Sequence, residues 1–142
     1  MALDSKTVIN GSFVKVYYEG EWLTDMTNLE VIDEFSYEDV PRSGTRRTGK
    51  KLVGVEGTGT AGGYKTSKRF SRLLQQNADD SQGAFVTELM FEVNDPETPE
   101  ANGFWRVKEV QFENNPIISS EPGSLVEQEL NFTHQGVEEI EL

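Results

Sequence analysis

The sequence predicts a mainly β fold with one α-helix, arranged as a β-sandwich or a partly open barrel. Apolar and polar residues alternate over several segments, turn residues separate these segments, and only one stretch has the periodicity of a helix. The 142 residues fit a single domain spanning 1–142, and eight Phe, four Tyr and two Trp supply large side chains for its core.

The chain is expected to begin with a polar arm, followed by a tight hairpin. Residues 1–11 are polar, end at a turn and are predicted to become ordered on assembly. Phe13–Tyr18 and Glu21–Leu23 are predicted to pair as a β-hairpin. Its turn is Glu19-Gly20, because glycine accepts a positive φ without a Cβ clash.

Asn28–Val40 is predicted to be a long strand with one polar and one apolar face. The polar set is Glu30, Glu34, Ser36 and Glu38, and the apolar set is Leu29, Val31, Phe35 and Tyr37. Ile32 and Asp33 each fall on the wrong face, so a bulge or bend is expected there.

A basic loop, a glycine-rich strand and one helix are predicted next. Residues 41–51 lack a large apolar side chain and are predicted to form a long mobile loop, and Leu52–Tyr64 follows as a strand. Thr66 or Ser67 caps a predicted helix over Lys68–Asn77, whose buried stripe is Phe70, Leu73 and Leu74.

Three further strands complete a predicted set of about seven. They are Ala84–Asn94, Phe104–Glu113 and Leu125–Thr133. The first two are joined by a variable hairpin loop, 95–103, whose two prolines argue against regular structure. Residues 114–123 form the other irregular link.

Charge is distributed very unevenly along the chain. The net charge is −12, yet residues 42–72 hold nine of the 13 basic residues and one of the 25 acidic residues, which gives this segment +8 and leaves −20 elsewhere. Such polarity suits copies that dock one surface against a different surface of the next copy. A solvated basic loop on an acidic protein explains the composition equally well.

Two sequence motifs are compared with those of nucleotide-binding and nucleic-acid-binding proteins. The run Gly57–Gly62 matches GxGxxG, but Gly63 to Thr66 separate it from the predicted helix, whereas a dinucleotide site needs the helix to begin within the glycines. The basic run Arg42–Lys51 lacks aromatic residues for base stacking, and the surrounding acidity opposes a polyanion. Close approach of backbones or subunits is the preferred interpretation of the glycines.

No catalytic, cofactor or metal site is predicted. The chain has no cysteine and one histidine, His134, which is expected to be a surface or hydrogen-bonded residue rather than a ligand. Its carboxylates show no acid/base pattern. The first residues lack the apolar region of a secretion signal and no apolar run is long enough to span a membrane, so an intracellular protein without a membrane anchor is expected.

The order of these landmarks resembles the tail tube proteins of PBSX-like defective prophages and of diffocin-like R-type bacteriocins from Gram-positive bacteria. The resemblance covers nearly the whole chain except residues 41–51 and 95–103. It is most specific at Gly57-Thr-Gly-Thr60 before Tyr64-Lys-Thr-Ser67, and at the Glu-rich segment Leu125–Thr133.

The resemblance implies a non-enzymatic structural subunit with the fold of phage tail tube and type VI secretion tube proteins. Six subunits would form a ring, two hairpins of each would join one inner barrel, and rings would stack into a tube inside a contractile sheath. Baseplate and tube-terminator proteins are the other implied partners, and DNA would only pass through the lumen. The protein would be made in the bacterial cytoplasm and released within the particle on lysis.

Two sets of residues are hypothesised to serve this assembly. Basic side chains are expected to reach acidic residues of the adjacent ring: Arg42, Arg46, Arg47, Lys50 and Lys51. Polar faces of long strands are expected to line the lumen, although some of them point outward to the sheath in the alternative interpretation: Glu30, Glu34, Thr58, Thr60, Glu88 and Glu92.

Two other classes of function stay open from the sequence. One is an effector-carrying tube of the type VI secretion kind. The other is a β-sandwich module that binds sugars or peptides, with Trp22 and Trp105 as stacking platforms, although packing in the core is the more common role of each.

Overall fold

The computed structural model describes residues 5–140 and has eight antiparallel strands and one α-helix. The strands are β1 Val14–Tyr18, β2 Glu21–Trp22, β3 Met26–Val40, β4 Gly49–Tyr64, β5 Thr87–Val93, β6 Gly103–Phe112, β7 Glu127–His134 and β8 Val137–Ile140. The helix is α1 Arg69–Leu74. Short 3-10 turns cover Ser5–Thr7, Gly11–Phe13 and Gln75–Ala78.

All eight strands belong to one sheet that folds over on itself at β6. The order is β2-β1-β5-β6-β7-β4-β3, with β8 paired to β6 beside this path. The start of β6 pairs with β5 and β8, whereas its end, Gln111 and Phe112, pairs with β7. Between these parts Glu109 has a φ of 48°, and the ladder to β5 shifts register. The fold therefore has an outer half-sheet (β2, β1, β5, β8 and the start of β6) and an inner half-sheet (the end of β6, β7, β4 and β3).

The hydrophobic core lies between the two half-sheets and under α1. Val16, Leu89 and Val107 come from the outer half-sheet, while Leu130 and Phe132 come from the inner one. The helix adds the predicted stripe, with Phe70 and Leu74 buried and Leu73 partly buried. The predicted mainly β architecture with one helix is confirmed.

The first hairpin forms as predicted. β1 and β2 pair through Tyr17 with Trp22 and Tyr18 with Glu21. Glu19 and Gly20 both have positive φ, 50° and 80°, as a tight turn between right-handed twisted strands requires.

The bulge predicted at Ile32 and Asp33 is wrong, because the β3–β4 ladder is regular there and shifts register between Ser36 and Tyr37 instead. Val53 of β4 is the extra residue at that shift. Asp33 occupies the apolar face without a bulge since it lies opposite Gly57, where the absent side chain leaves room for it beside His134.

Three further expectations need correction. The predicted loop 41–51 is shorter, because Gly49–Lys51 belongs to β4 and Lys50 pairs with Asp39 across the ladder. Strand β8 was not predicted; it is only four residues long. The helix is capped by Lys68 without a side-chain bond, although the Ser67 hydroxyl accepts a 3.4 Å hydrogen bond from the Arg69 amide.

The N-terminal segment is held against the loop that joins β5 to β6. The backbone amide of Asn10 donates to the buried Asp95 carboxylate at 2.9 Å, and the Glu97 amide donates to the other oxygen of that carboxylate. Asn102 accepts from the Asp95 amide. Loop 95–103 is therefore hydrogen-bonded internally. The first four residues of the predicted arm lie outside the described part of the chain.

Candidate assembly surfaces

The solvent face of the inner half-sheet is polar and continuous over three long strands. Residues directly opposite each other in an antiparallel ladder share a face. Glu30 of β3 therefore stands in a row with Thr60 of β4 and Asn131 of β7, and the Thr60 hydroxyl donates to the Asn131 side-chain oxygen at 3.0 Å. The next rows place Thr58 beside Ile32 and Thr133, and Glu34 opposite Glu56. The structure thus brings four predicted lumen residues onto one face: Glu30, Glu34, Thr58 and Thr60.

This face is acidic and lacks a compensating cation. The β3 residues on this face from Asn28 to Glu34 are the alternate ones, and together with their partners on β4 and β7 they include four carboxylates and no Lys or Arg. They are Glu30, Glu34, Glu56 and Glu129. Like charges directly opposite each other, as in the Glu34–Glu56 pair, destabilise a sheet, so this acidity has a cost for folding.

Glu88 and Glu92 lie elsewhere, on the solvent face of the outer half-sheet. Glu92 accepts a hydrogen bond from the Tyr17 hydroxyl at 3.3 Å, and Glu88 lies 3.9 Å from Nε of Arg106. Partial burial, and secondly the negative charge and hydrogen bond of Glu92, raise the pKa of the Tyr17 phenol above its usual range. The six residues predicted to line the lumen therefore lie on two different surfaces.

Each glycine of the GxGxxG run has a neighbour that a side chain would displace. A Cβ at Gly57 would lie 2.6 Å from the His134 carbonyl oxygen, and one at Gly59 would lie 2.5 Å from the Phe132 ring. At Gly62, the third glycine of the run, a Cβ would meet the Asn28 side chain and would lie 3.3 Å from the Gln128 carbonyl oxygen. These glycines are inside β4 and not at a helix N-terminus, so the interpretation as close approach is confirmed and a phosphate loop is excluded.

His134 of β7 is buried, and its imidazole forms hydrogen bonds to β3 and to the turn that follows β7. Its Nε2 lies 3.1 Å from the Ile32 carbonyl oxygen, and its Nδ1 accepts from the Gly136 amide at 3.1 Å. An imidazole that accepts at Nδ1 and donates at Nε2 is neutral, and we assign the tautomer from these two partners. The Asp33 carboxylate, 3.8 Å from Nε2, lies beyond hydrogen-bond distance.

The basic segment is divided between the two ends of β4. Arg42, Arg46 and Arg47 lie on the exposed loop before β4 and form no ion pair within residues 5–140. Lys50 is paired with Asp39 of its own hairpin, and Lys51 stands opposite Glu38. The remaining four basic residues follow β4 or lie on α1, and a strand of this length separates them from the loop by roughly 50 Å.

The far half of the β3–β4 hairpin projects from the body as a two-stranded ribbon. β7 pairs with β4 only from Gly57 onward, so residues 34–40 and 49–56 have no third strand beside them. The apolar face of β3 continues along this ribbon through Phe35 and Tyr37, whose partners are Val55 and Leu52. All four side chains are between 46% and 59% exposed. The alternation predicted that Phe35 and Tyr37 share one face of the strand with Leu29 and Val31, but nothing in the sequence indicated that this face is exposed beyond the body.

The remaining features do not build a ligand site. Trp22 is half exposed with the Lys15 ammonium 4.6 Å from its ring centroid, and Trp105 is partly buried and stacked on Phe91. A groove of about 530 Å³ lies along the polar face beside Glu30, Glu127 and Glu129. Within residues 5–140 no group of His, Cys, Asp or Glu side chains is arranged to hold a metal ion, and no helix is long and apolar enough to cross a membrane.

Comparisons with known proteins place this arrangement in a family. A family model described as phage tail tube protein matches residues 1–141. The chain belongs to the phage tail tube protein family. Its members are structural tail components and not enzymes, and the resemblance to tail tube proteins of PBSX-like elements is confirmed. The phage-like element PBSX protein XkdM of Bacillus subtilis (strain 168) is 27% identical over 136 residues, covering 95% of this chain and 92% of that protein.

Solved structures share the fold at much lower sequence identity. The anti-feeding prophage tube-terminating cap has a TM-score of 0.71 with 13% identity, and the match covers 99% of this chain and 94% of the cap. A chain of the extended PVC sheath–tube complex, an extracellular contractile injection system, has a TM-score of 0.68 with 12% identity, covering 97% and 95% of the two chains. The tail tube fold thus extends over the whole described chain.

Proposed function

We propose that this protein is the repeating subunit of the inner tube of a contractile tail or tail-like particle. Six copies form a ring by joining their inner half-sheets edge to edge, and the rings stack inside a sheath. The membership in the tail tube family supports a structural role in a tail. The contractile particles among the fold relatives, which include a sheath–tube complex and a tube terminator, support a sheath, a terminator and a baseplate as partners.

One observation carries the proposal: the inner half-sheet has an acidic solvent face and an unpaired edge at β3. β3 is the last strand of the sheet and pairs only with β4 within residues 5–140. An exposed edge of 15 residues is a liability in a monomer, and closing the sheets of several copies into a barrel removes it.

In a closed ring the acidic face of the inner half-sheet lines the lumen. We assign Glu30, Glu34, Thr58 and Thr60 to this lining, and we leave out Glu88 and Glu92 because they lie on the outer half-sheet. A negatively charged wall repels the phosphates of DNA, so a genome would pass without sticking. The outer half-sheet then faces the sheath.

The basic loop 41–48 is the proposed contact with the adjacent ring. Arg42, Arg46 and Arg47 are exposed and unpaired within the described residues, and acidic residues dominate the rest of the chain. Lys50 and Lys51 contribute less, because Asp39 and Glu38 of the same hairpin oppose them. The double change Arg46→Glu, Arg47→Glu is expected to stop tube growth. A matched reversal on the outer half-sheet, Lys15→Glu with Lys108→Glu, is expected to leave tubes intact.

Negative-stain electron microscopy of the concentrated full-length protein, with and without its tail baseplate, tests the proposal. The expected result is hollow tubes of constant diameter with six-fold symmetric rings in end views. A protein that stays monomeric under both conditions overturns the proposal and favours a monomeric binding module. Production in the bacterial cytoplasm and release with the particle on lysis belong to the same proposal. Comparison with the Lys15→Glu, Lys108→Glu control distinguishes a general effect of charge reversal from a specific effect of the basic loop.

A further inference from the structure

The β3–β4 ribbon ends in the basic loop, but one of its faces exposes large apolar side chains. Phe35 and Val55 form one cross-strand pair and Tyr37 and Leu52 the next, on the same side of the ribbon. In the body of the protein this side of β3 covers the core through Leu29 and Val31. Beyond the body the stripe continues with nothing over it within residues 5–140.

A two-stranded ribbon without a packed face is marginally stable in water. Large aromatic and branched side chains that line one face of a projecting ribbon therefore indicate a partner surface. The ribbon reaches roughly 20 Å beyond the last pair between β4 and β7, because seven residues of β3 extend past that point. Such a reach takes it out of the space that its own subunit fills.

The opposite end of the molecule has a complementary surface. The link between β6 and β7 exposes three large apolar side chains, Ile117, Ile118 and Leu125, which are 59%, 68% and 76% exposed. Lys65, the residue after β4, holds both parts of this link: its Nζ donates to the Pro116 carbonyl at 2.8 Å, and its amide donates to the Val126 carbonyl at 2.9 Å. The three apolar residues therefore gather at the end of β4 that is farthest from the ribbon tip.

The ribbon tip and the β6–β7 link also carry opposite charges. The ribbon tip carries Arg42, Arg46 and Arg47. The link and the start of β7 carry Glu113, Glu121, Glu127 and Glu129, and no Lys or Arg follows Lys108 in the sequence. Four basic residues also lie at this end, on or just before α1: Lys65, Lys68, Arg69 and Arg72. Lys65 is hydrogen-bonded to the Pro116 carbonyl and Arg69 is paired with Glu21, so the acidic surface is that of the link and β7 and not that of the helix.

We propose that the apolar face of the ribbon docks on the β6–β7 link of a second copy of this chain in the adjacent ring. Phe35 and Tyr37 pack against Ile117, Ile118 and Leu125, and the arginines of the tip meet the glutamates around them. The contact is heterologous, because each copy uses its ribbon at one end and its link at the other, and a heterologous contact that does not close into a ring propagates as an open stack. This inference rests on the proposed tube and identifies the surface that joins its rings.

The apolar part of the contact predicts a specific effect of mutation. Phe35→Ser with Tyr37→Ser is expected to raise the protein concentration needed for tube growth by about tenfold or more, since two anchoring aromatic side chains are lost. The monomer is expected to keep its circular dichroism spectrum and thermal midpoint, because both side chains are more than half exposed. Trp22→Ser, at a similarly exposed aromatic residue on the outer half-sheet, is the matched control and is expected to leave the threshold unchanged.

Engineered disulfides test the pairing directly, because the chain has no cysteine. Tubes of the double variant Tyr37→Cys, Ile118→Cys are expected to give a ladder of covalent multimers after mild oxidation, and each single variant is expected to give none. Tyr37→Cys with Val8→Cys, another exposed residue, is the control for random collision.

The outcomes separate this inference from the proposed function. If the unsubstituted protein forms no tubes, the proposed function fails. If it forms tubes, but the serine double variant grows equally well or the Tyr37→Cys, Ile118→Cys tubes give no ladder, the inference fails and the tube stands. A dimer band without higher multimers also overturns the inference, because it indicates a symmetric contact.

Discussion

The imidazole of His134 lies directly against the α-carbon of Gly57, where a Cβ would be 2.5 Å from its Nδ1. The same ring bonds to the Ile32 carbonyl on the neighbouring strand β3, so one side chain of β7 reaches across β4. The imidazole can lie across β4 at this point only because Gly57 has no side chain. The glycine thus decides how the inner half-sheet is packed, and the polar face on its other side depends on that packing.

Gly57→Ala is expected to destabilise the protein by about 1–3 kcal/mol, because a Cβ there would meet the His134 carbonyl as well as its ring and the backbone has to shift. Gly54→Ala in the same strand is the control, since its Cβ would meet no atom closer than 3.7 Å. That control is expected to be neutral or stabilising by up to about 1 kcal/mol. Urea unfolding followed by circular dichroism measures both, and equal midpoints would contradict the packing described here.

His134→Ala is expected to cost about 2–4 kcal/mol of unfolding free energy, because it leaves a cavity and removes the partners of the Ile32 carbonyl and the Gly136 amide. Asp33→Asn is expected to change stability by no more than about 0.5 kcal/mol, because the neutral imidazole forms no ion pair with Asp33. Thermal or chemical unfolding of the two variants checks this. If Asp33→Asn lowers the free energy of unfolding as much as His134→Ala does, a charged pair between these residues holds the strands together.

The stability of the protein is expected to fall in alkaline solution as the Tyr17 phenol ionises. Partial burial and Glu92 raise its pKa in the folded state above the unfolded value of 10.0. Between the two values the folded state holds more protons, so the free energy of unfolding decreases as the pH rises through that window and is unaffected below it. Tyr17→Phe is expected to flatten this slope, and Glu92→Gln to reduce it. An unchanged slope in Tyr17→Phe, measured by urea unfolding on both sides of pH 10, would contradict the assignment.

Cysteine labelling is expected to distinguish the two solvent faces in assembled tubes. Thr58→Cys lies on the proposed lumen face and Glu88→Cys on the outer half-sheet, and the chain has no other cysteine. Both are expected to react with a maleimide on a long polyethylene glycol chain in the monomer. After assembly Thr58→Cys is expected to react at least about tenfold more slowly, because the polymer has to enter through the tube ends, whereas Glu88→Cys stays reactive. If instead Glu88→Cys is protected and Thr58→Cys stays reactive in tubes, the proposed orientation is wrong and β3, β4 and β7 face the sheath.

Local chemistry made much of the fold predictable. Glu19-Gly20 forms its turn, Phe70 and Leu74 turn inward, and the glycines of β4 mark close approach, because each of these depends on neighbours along the chain or on the lack of a Cβ. The order of the motifs along the chain also indicated the resemblance to tail tube proteins. The short strand β8 escaped prediction since four residues carry too little periodicity to distinguish a strand from a loop.

The sequence by itself determined that this is a mainly β protein with one helix, with a polar and an apolar side to β3 and a strongly basic middle segment. Only the tertiary structure decided that Glu30 and Glu34 share a face while Glu88 and Glu92 do not, because the sheet folds over at β6 and separates strands with the same alternation. It also decided that Phe35 and Tyr37 are exposed where Leu29 and Val31 are covered, since the other half-sheet ends before the hairpin does. Alternation fixes which side chains lie together, but what lies opposite them depends on contacts between residues far apart in the chain.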